Sequence, residues 1–261
     1  MLTAMQTRVR LEPAGAAPVM FEAGPLAELG DQLCKDYAAA APFPHAVIDD
    51  FLPGEVAGQA LEEFPPPESP VWLDWRGRDP LHQPRKLGIG HISRLGSAVP
   101  FTRQLLTALN TFPVIDFLER LTGIAGLIPD PHFVGGGLHQ ILPGGRLAVH
   151  SDFSLHPQLK LYRRINLLLY LNRDWGEDYG GDLELWGREM RQCVVKIAPV
   201  FNRCVIFNTD RFSFHGHPDP LAAPEGVTRK SIALYYYSAE ARAGEAEDRP
   251  TLWQARPGAA D

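Results

Sequence analysis

The sequence predicts a mainly β protein, a jelly roll or barrel preceded by helices. Its second half holds eight short runs rich in β-branched and aromatic residues, each bounded by turn-forming Gly, Pro or Asn. No long helical stretch separates these runs, which argues against the alternating strands and helices of a parallel sheet. A chain of 261 residues is a common size for one domain of this kind.

The first 130 residues are predicted to be mainly helical. Apolar residues recur at helical spacing over 25–40, 53–64 and 113–122. Each stretch starts with a proline, which the first turn of a helix tolerates, and Gly123 is a suitable stop for the last one. Between them, segment 65–94 has weak periodicity and is rich in Pro, Trp, Arg and His. We expect it to be an irregular, lid-like segment.

The β-rich half and the tail complete the predicted organisation. The eight predicted strands are 133–142, 147–153, 165–171, 182–186, 193–197, 204–207, 212–217 and 231–238. Residues 1–130 then form an N-terminal helical region, 131–239 the jelly-roll core and 240–261 a C-terminal tail, within one integrated domain. The tail is polar and rich in Ala and Gly apart from Trp253, so we expect it to pack loosely.

Composition excludes several functional classes. The net charge of −6 argues against general nucleic-acid binding, which favours a strongly basic face. The sequence has no apolar run long enough to cross a bilayer and no signal-peptide pattern at its N-terminus. Three cysteines, Cys34, Cys193 and Cys204, are too few and odd in number for a disulfide framework. We therefore expect a cytoplasmic protein with neither a nucleic-acid nor a membrane partner.

A His-Ser-Asp pattern at 150–152 is the first candidate for metal binding. Residues two apart on a strand point to the same face, so His150 and Asp152 can reach one metal ion. Two imidazoles and one carboxylate can bind one face of Fe(II) and leave positions open for chemistry. Taken alone the pattern is weak, because His and Asp at this spacing are more often satisfied surface residues.

His215, on the seventh predicted strand, is the expected third ligand. His217 lies on the same face of that strand if the strand is regular, and it remains an alternative ligand. We favour His215, because Gly216 and Pro218 mark the end of the strand.

Arg229 and Ser231 share one face at the start of the last predicted strand. A buried guanidinium there requires a partner, and the distal carboxylate of a dicarboxylic co-substrate would provide one. Ser231 and Tyr170 would add hydroxyl contacts to the same carboxylate. The alternatives are an exposed Arg at a strand start and a core tyrosine with a polar tip.

From 133 to 238 the sequence resembles the Fe(II)/2-oxoglutarate-dependent dioxygenases of the prolyl 4-hydroxylase type. The resemblance extends beyond the four site positions. It includes RRINLLLYLNRDW at 163–175, GGDLEL at 180–185, IAPVFNRCVIF at 197–207 and TRKS at 228–231, with PFPHAVIDDFLP at 42–53 in the leading region. No one of these pieces is specific, whereas their order and spacing together are.

The resemblance implies a double-stranded β-helix with supporting N-terminal helices. It implies that His150, Asp152 and His215 bind Fe(II), and that Arg229 and Tyr170 contact the C5 carboxylate of 2-oxoglutarate. With O2 as the second co-substrate, and ascorbate as a supporting reductant, the expected reaction hydroxylates a C–H bond and yields succinate and CO2. The carboxylate of Asp152 argues against a halogenase, in which a small residue at this position leaves room for chloride. The interval from His215 to Arg229 is longer than in hypoxia-type enzymes, which predicts an extra loop at 219–226.

The substrate is much less constrained. A small molecule, a free amino acid or a peptidyl residue would each fit the resemblance. Segment 65–94 carries basic and aromatic residues that would suit a carboxylate or phosphate, although a solvated loop that offsets an acidic body is equally compatible. These residues are Trp72, Trp75, Arg76, Arg78, His82, Arg85, Lys86, His91 and Arg94. Only one of His139 and Gln140 can face the cavity, and neither is expected to bind the metal.

Two other functional classes remain open. One is a metal-dependent enzyme of another kind on the same barrel, such as a cupin-like isomerase or a hydrolase. The other is a non-catalytic jelly-roll binding module. Arg229 separates these from the oxygenase, because only an enzyme that uses an oxo acid requires it.

Overall fold

The structure is a computed structural model and describes residues 19–74, 79–90, 95, 98–242 and 248–258. The helices are α1 (Ala23–Ala39), α2 (Gly54–Glu62), α3 (Pro100–Leu109) and α4 (Phe112–Thr122). The strands are β1 (His45–Ile48), β2 (Leu73–Asp74), β3 (Lys86–Ile89), β4 (Ile128–Pro129), β5 (Gly137–Ile141), β6 (Leu147–Ser151), β7 (Tyr162–Tyr170), β8 (Leu183–Trp186), β9 (Cys193–Ile197), β10 (Cys204–Asn208), β11 (His215–His217), β12 (Arg229–Ser238) and β13 (Leu252–Trp253).

Two antiparallel sheets form the β core. The larger sheet has the order β1-β10-β7-β12-β5-β3-β2, with β4 also paired to β12, and the smaller has the order β13-β6-β11-β8-β9. Strands distant in sequence are neighbours in both sheets. This is the predicted double-stranded β-helix, and the mainly β fold class is confirmed.

The two faces of the larger sheet have different neighbours. One face carries Leu138, Leu167, Leu169, Ile232 and Leu234, which join side chains of α1, α3 and α4 in the main hydrophobic core. Because side chains alternate along a strand, the residues between them point toward the smaller sheet. The helices therefore support the sheet from behind, and its other face is free to build a site.

The helix ends follow the sequence signals. Pro113 lies in the first turn of α4, and Gly123 ends that helix in the left-handed conformation, with its N–H bonded to the carbonyl of Glu119. Helix α3 was not predicted, although Leu105, Leu106 and Leu109 give it a buried apolar face. No helix in the described part of the chain has both the length and the apolar character needed to span a bilayer.

Two segments are more ordered than the sequence suggested. Strands β2 and β3 extend the larger sheet, so the lid-like segment 65–94 is not irregular throughout. Its residues Trp75, Arg76, Arg78, His91 and Arg94 lie outside the described residues. The expectation of a loosely packed tail was wrong for 252–253, because β13 pairs with β6, with Trp253 opposite His150.

Candidate active site

The two predicted histidine ligands lie opposite each other on adjacent strands. His150 of β6 and His215 of β11 are paired in register, and their ring centroids are 4.5 Å apart. Nδ1 of each ring lies 2.9 Å from a backbone carbonyl, that of Ala148 for His150 and that of Ser213 for His215. A carbonyl only accepts hydrogen bonds, so Nδ1 carries the proton and Nε2 presents a lone pair, as metal-binding histidines require.

Asp152, immediately after β6, completes a three-residue cluster. Its Oδ1 lies 3.6 Å from Nε2 of His150, and its Oδ2 lies 3.5 Å from Nε2 of His215. One ligand atom from each residue falls within 4.8 Å of the others. The structure therefore brings together the three residues that the sequence predicted as ligands.

The carboxylate of Asp152 is held from the larger sheet. A guanidinium nitrogen of Arg163 lies 3.0 Å from its Oδ2, and the side-chain amide of Asn166 donates to the same oxygen at 2.8 Å. Burial by itself would raise the pKa of Asp152, but Arg163, His215 and His150 outweigh it and hold that pKa well below its usual value. Burial also lowers the pKa of His215 to about 4.

This protonation pattern tests whether the residues fit a metal ion. At neutral pH Asp152 is a carboxylate and His215 a neutral imidazole, which are the forms that bind metals. Two nitrogen donors and one carboxylate are the donor set of the non-haem Fe(II) facial triad. His150, Asp152 and His215 thus fit the ion that the sequence resemblance implied.

His217 lies in the same cavity but outside the cluster. A register irregularity between His215 and His217 sets His217 opposite Leu147 on β6. Its side chain is buried, and neither ring nitrogen has a hydrogen-bond partner in the described part of the chain. The geometry therefore favours His215 over His217 as the third ligand.

A buried guanidinium occupies another part of the cavity. Nε of Arg229 donates to the carbonyl of Gly181 at 2.7 Å, and NH2 donates to the hydroxyl of Tyr170 at 3.2 Å. Ser231 is paired directly with Tyr170 on the adjacent strand. No carboxylate among the described residues is in salt-bridge distance of Arg229, so this buried cation is available for an anionic ligand.

One cavity of about 310 Å³ contains both the cluster and Arg229. It also contains residues to which sequence analysis gave no role: Arg163 and Asn166 from β7, and Thr251 and Trp253 from the tail. Asn166 shares the strand face of Tyr170, which was a usable signal for it. Nothing in the sequence pattern indicated that Trp253 would reach His150, 4.9 Å away between ring centroids.

The loop predicted at 219–226 is anchored by the buried residues Leu221 and Ala223, and most of its other residues are exposed. Leu221 is buried and exchanges backbone hydrogen bonds with the turn at Gly144 and Gly145, and its side chain lies against Gly181. It thus supports the carbonyl to which Arg229 donates. Of the two residues left open on β5, His139 lines the cavity, whereas Gln140 is buried on the other face and donates to Thr228.

Residues 136–237 match the sequence profile of the 2OG-Fe(II) oxygenase superfamily. The matched segment, about two fifths of the chain, is similar to that superfamily. The superfamily is defined by ferrous iron and 2-oxoglutarate, which are the cofactor and co-substrate that the site residues fit. The matched segment contains Asp152, both imidazoles and Arg229.

Individual proteins and solved structures are similar to parts of this chain. Prolyl 3-hydroxylase OGFOD1 of Mus musculus is 34% identical over 79 residues, which are 29% of this chain and only 14% of that protein. A Trichoplax adhaerens prolyl hydroxylase, solved with a hypoxia inducible factor peptide, has a similar fold with a TM-score of 0.59. It is 20% identical, and the match covers 82% of this chain and 91% of that one. A prolyl 4-hydroxylase of Phytophthora capsici gives a TM-score of 0.53 at 20% identity, covering 86% and 69%.

Proposed function

We propose that this protein is an Fe(II)- and 2-oxoglutarate-dependent hydroxylase that acts on an unactivated C–H bond of a small molecule, an amino acid or a peptidyl residue. One observation carries the proposal: a buried arginine, with no acidic partner among the described residues, shares a cavity with a two-histidine, one-carboxylate cluster. Each feature alone is compatible with several kinds of site. Their combination fits a ligand that has one carboxylate for the metal and another for Arg229.

The proposed ligands of Fe(II) are His150, Asp152 and His215. When bound, the iron and 2-oxoglutarate supply an oxidation in which one oxygen atom of O2 enters succinate and the other enters the substrate, with release of CO2. The protein positions the reactants. The backbone carbonyls behind both imidazoles fix the ring orientation, and Arg163 and Asn166 fix that of the carboxylate.

Arg229 and Tyr170 are the proposed partners of the C5 carboxylate of 2-oxoglutarate, and Ser231 contributes a further hydroxyl. Arg229 is already oriented, because its Nε donates to Gly181. This leaves guanidinium N–H groups for a carboxylate without loss of the existing hydrogen bond. Burial raises the pKa of Tyr170, so its hydroxyl stays protonated and able to donate.

The decisive experiment is anaerobic titration of the Fe(II)-loaded protein with 2-oxoglutarate, followed by measurement of succinate after admission of O2. A charge-transfer absorption band is expected when the oxo acid chelates the iron. Absence of both the band and succinate would reject the oxygenase and favour an isomerase, a hydrolase or a binding module on the same barrel. Ascorbate should support repeated turnover without being consumed in stoichiometric amounts.

The cytoplasm remains the proposed compartment. The three cysteines are free thiols in the structure, and a reducing environment also favours ferrous iron. Fractionation of the native host, with detection of the protein and of its free thiols, tests this proposal.

A further inference from the structure

Lys86 places a second cation on the cavity face of the larger sheet. On three neighbouring strands, Arg229 of β12 pairs with Ile141 of β5, and Ile141 pairs with Lys86 of β3. All three side chains line the cavity. The backbones of Arg229 and Lys86 are thus separated by two strand spacings, roughly 9.5 Å.

The two cations serve different regions of the cavity. Arg229 leans away from β5, because its hydrogen bonds go to Gly181 and to Tyr170 of β7, on the opposite side of β12. Lys86 lies on the other side, and its Nζ donates to the side chain of Gln83 at 2.9 Å. A single carboxylate held by Arg229 and Tyr170 therefore leaves Lys86 with no anionic partner in the described part of the chain.

The residues that the structure describes give Lys86 no carboxylate within salt-bridge distance. None of the described acidic side chains forms a salt bridge with it, and Asp152 is already held by Arg163. Burial lowers the pKa of Lys86 to about 8, so the ammonium group is charged at neutral pH but poorly solvated. Such a group gains from an anionic ligand, because a nearby opposite charge restores the stabilisation lost on leaving water.

The residues around Lys86 are held in place by backbone hydrogen bonds and by ring stacking. Residues 82–85 form backbone hydrogen bonds to Leu142, Arg146 and Ala148, which fixes the segment between the two sheets. His82 stacks on Trp253 with 4.3 Å between ring centroids, and Trp253 in turn contacts His150. A substrate between the proposed iron ligands and Lys86 would have Trp253 as its aromatic wall.

We propose that Lys86 binds a carboxylate or phosphate group of a small primary substrate whose apolar part lies against Trp253. The inference rests on the proposed function, since it assigns the two carboxylates of 2-oxoglutarate to the metal and to Arg229. A cavity of about 310 Å³ is near the lower end of the range for small-molecule sites, roughly 300–1,000 Å³. Because 2-oxoglutarate takes part of this volume, the part of the primary substrate that enters the cavity is small.

The test is calorimetric binding to the full chain, loaded anaerobically with Mn(II) and 2-oxoglutarate so that no turnover occurs. One set of probes pairs free L-amino acids with their carboxamides, and a second pairs phosphate monoesters with their parent alcohols. At least one anionic probe should bind about tenfold or more tightly than its neutral counterpart. The set that supplies it distinguishes carboxylate from phosphate recognition.

Lys86→Met should reduce binding of that probe to the level of the neutral counterpart, and Lys86→Arg should restore part of the difference. Arg85→Met is the matched control, because it removes the same charge from an exposed neighbouring side chain and should leave binding within about twofold. Equal binding of every charged and neutral pair by the wild type, or binding of none, would overturn the proposal.

The affinity for 2-oxoglutarate itself shows whether Lys86 belongs to the substrate site or to the co-substrate site. Lys86→Met should leave it nearly unchanged, whereas Arg229→Met should weaken it strongly. If Lys86→Met weakens it as much as Arg229→Met, Lys86 belongs to the co-substrate site and the inference is wrong. If the wild type does not bind 2-oxoglutarate, the proposed function fails instead.

Discussion

Arg163 reaches across from the larger sheet to the metal side of the cavity, and its guanidinium lies 3.0 Å from Oδ2 of Asp152. The same guanidinium packs over the ring of Tyr235, 3.4 Å from its centroid, and is buried. A buried ion pair of this kind fixes geometry more than it adds stability. We therefore regard Arg163 as a residue that positions the carboxylate ligand.

Arg163→Met should lower the affinity for Fe(II) by about 10- to 100-fold, as loss of a hydrogen-bonding partner of a metal ligand commonly does. Anaerobic metal titration measures the affinity, and circular dichroism checks that the fold is retained. Arg164→Met is the control. Arg164 is the next residue on β7 and binds Ser238 and Glu240, so its loss should leave metal affinity unchanged. Equal effects of the two variants would assign Arg163 a structural role alone.

The ligand assignment predicts a clear contrast between neighbouring histidines. Asp152→Ala and His215→Ala should each abolish stoichiometric Fe(II) binding, because the cluster then retains only two donors. His217→Ala should keep metal binding, since its ring is not part of that cluster. The measurement is bound iron per chain after anaerobic gel filtration. Loss of iron from the His217 variant together with its retention by the His215 variant would reverse the assignment.

Substitutions around Arg229 should affect 2-oxoglutarate in a graded order. Arg229→Met should weaken 2-oxoglutarate binding by about 100-fold or more, because it removes the charge and the fork of donors that hold the carboxylate. Tyr170→Phe removes one hydroxyl and should cost about 1 kcal/mol, and Ser231→Ala should cost less. Titration of the charge-transfer band gives the three constants. A Tyr170 effect as large as that of Arg229 would contradict the order.

The sequence was sufficient to locate residues whose roles depend on short-range geometry. Strand periodicity alone placed His150 with Asp152 and Arg229 with Ser231 on common faces, since alternation is a local property of the backbone. Periodicity could not choose between His215 and His217, because a regular strand puts both on one face. Only the turn residues Gly216 and Pro218 favoured His215. The structure separates them through a register irregularity on β11 that depends on pairing with β6.

Other features depend on contacts between distant segments. Trp253 and His150 are about a hundred residues apart in sequence, and neither carries a local signal of the other. The pairing of β3 with β5, which puts Lys86 into the cavity, is equally non-local. Strand pairing of this sort is set by the whole fold, whereas periodicity reports only whether a segment has a buried face.

We predict that a side chain at Gly137, at the start of β5, destabilises the fold. Its φ is +88°, and a Cβ there would collide with the carbonyl oxygen of Ile89 on β3. Gly137→Ala should therefore lower the free energy of unfolding by several kcal/mol and disturb the β3–β5 pairing. Gly123→Ala is the control, because Gly123 also has positive φ but no atom of the described residues lies within 4 Å of its Cβ position. It should cost only about 1 kcal/mol in urea denaturation.

The hydrogen bonds of Arg249 indicate that the tail contributes to the metal site. Its guanidinium donates to the carbonyl of Asp152 at 2.8 Å and to the hydroxyl of Ser151 at 3.2 Å, and its backbone exchanges hydrogen bonds with Ser154. Arg249→Met should loosen the backbone at 151–154 and weaken Fe(II) binding by several-fold.

Metal titration and amide hydrogen exchange at 151–154 measure the two effects together. Arg256→Met is the matched control, because Arg256 binds the exposed carboxylate of Asp219 rather than residues 151–154. It should change neither the affinity nor the exchange rate. If Arg249→Met speeds exchange while iron affinity stays constant, the tail supports the strand without influencing the ligand. If both change, the tail helps to hold Asp152 in place, although its composition predicted loose packing. The reason is that Arg249 donates directly to the backbone carbonyl of this ligand.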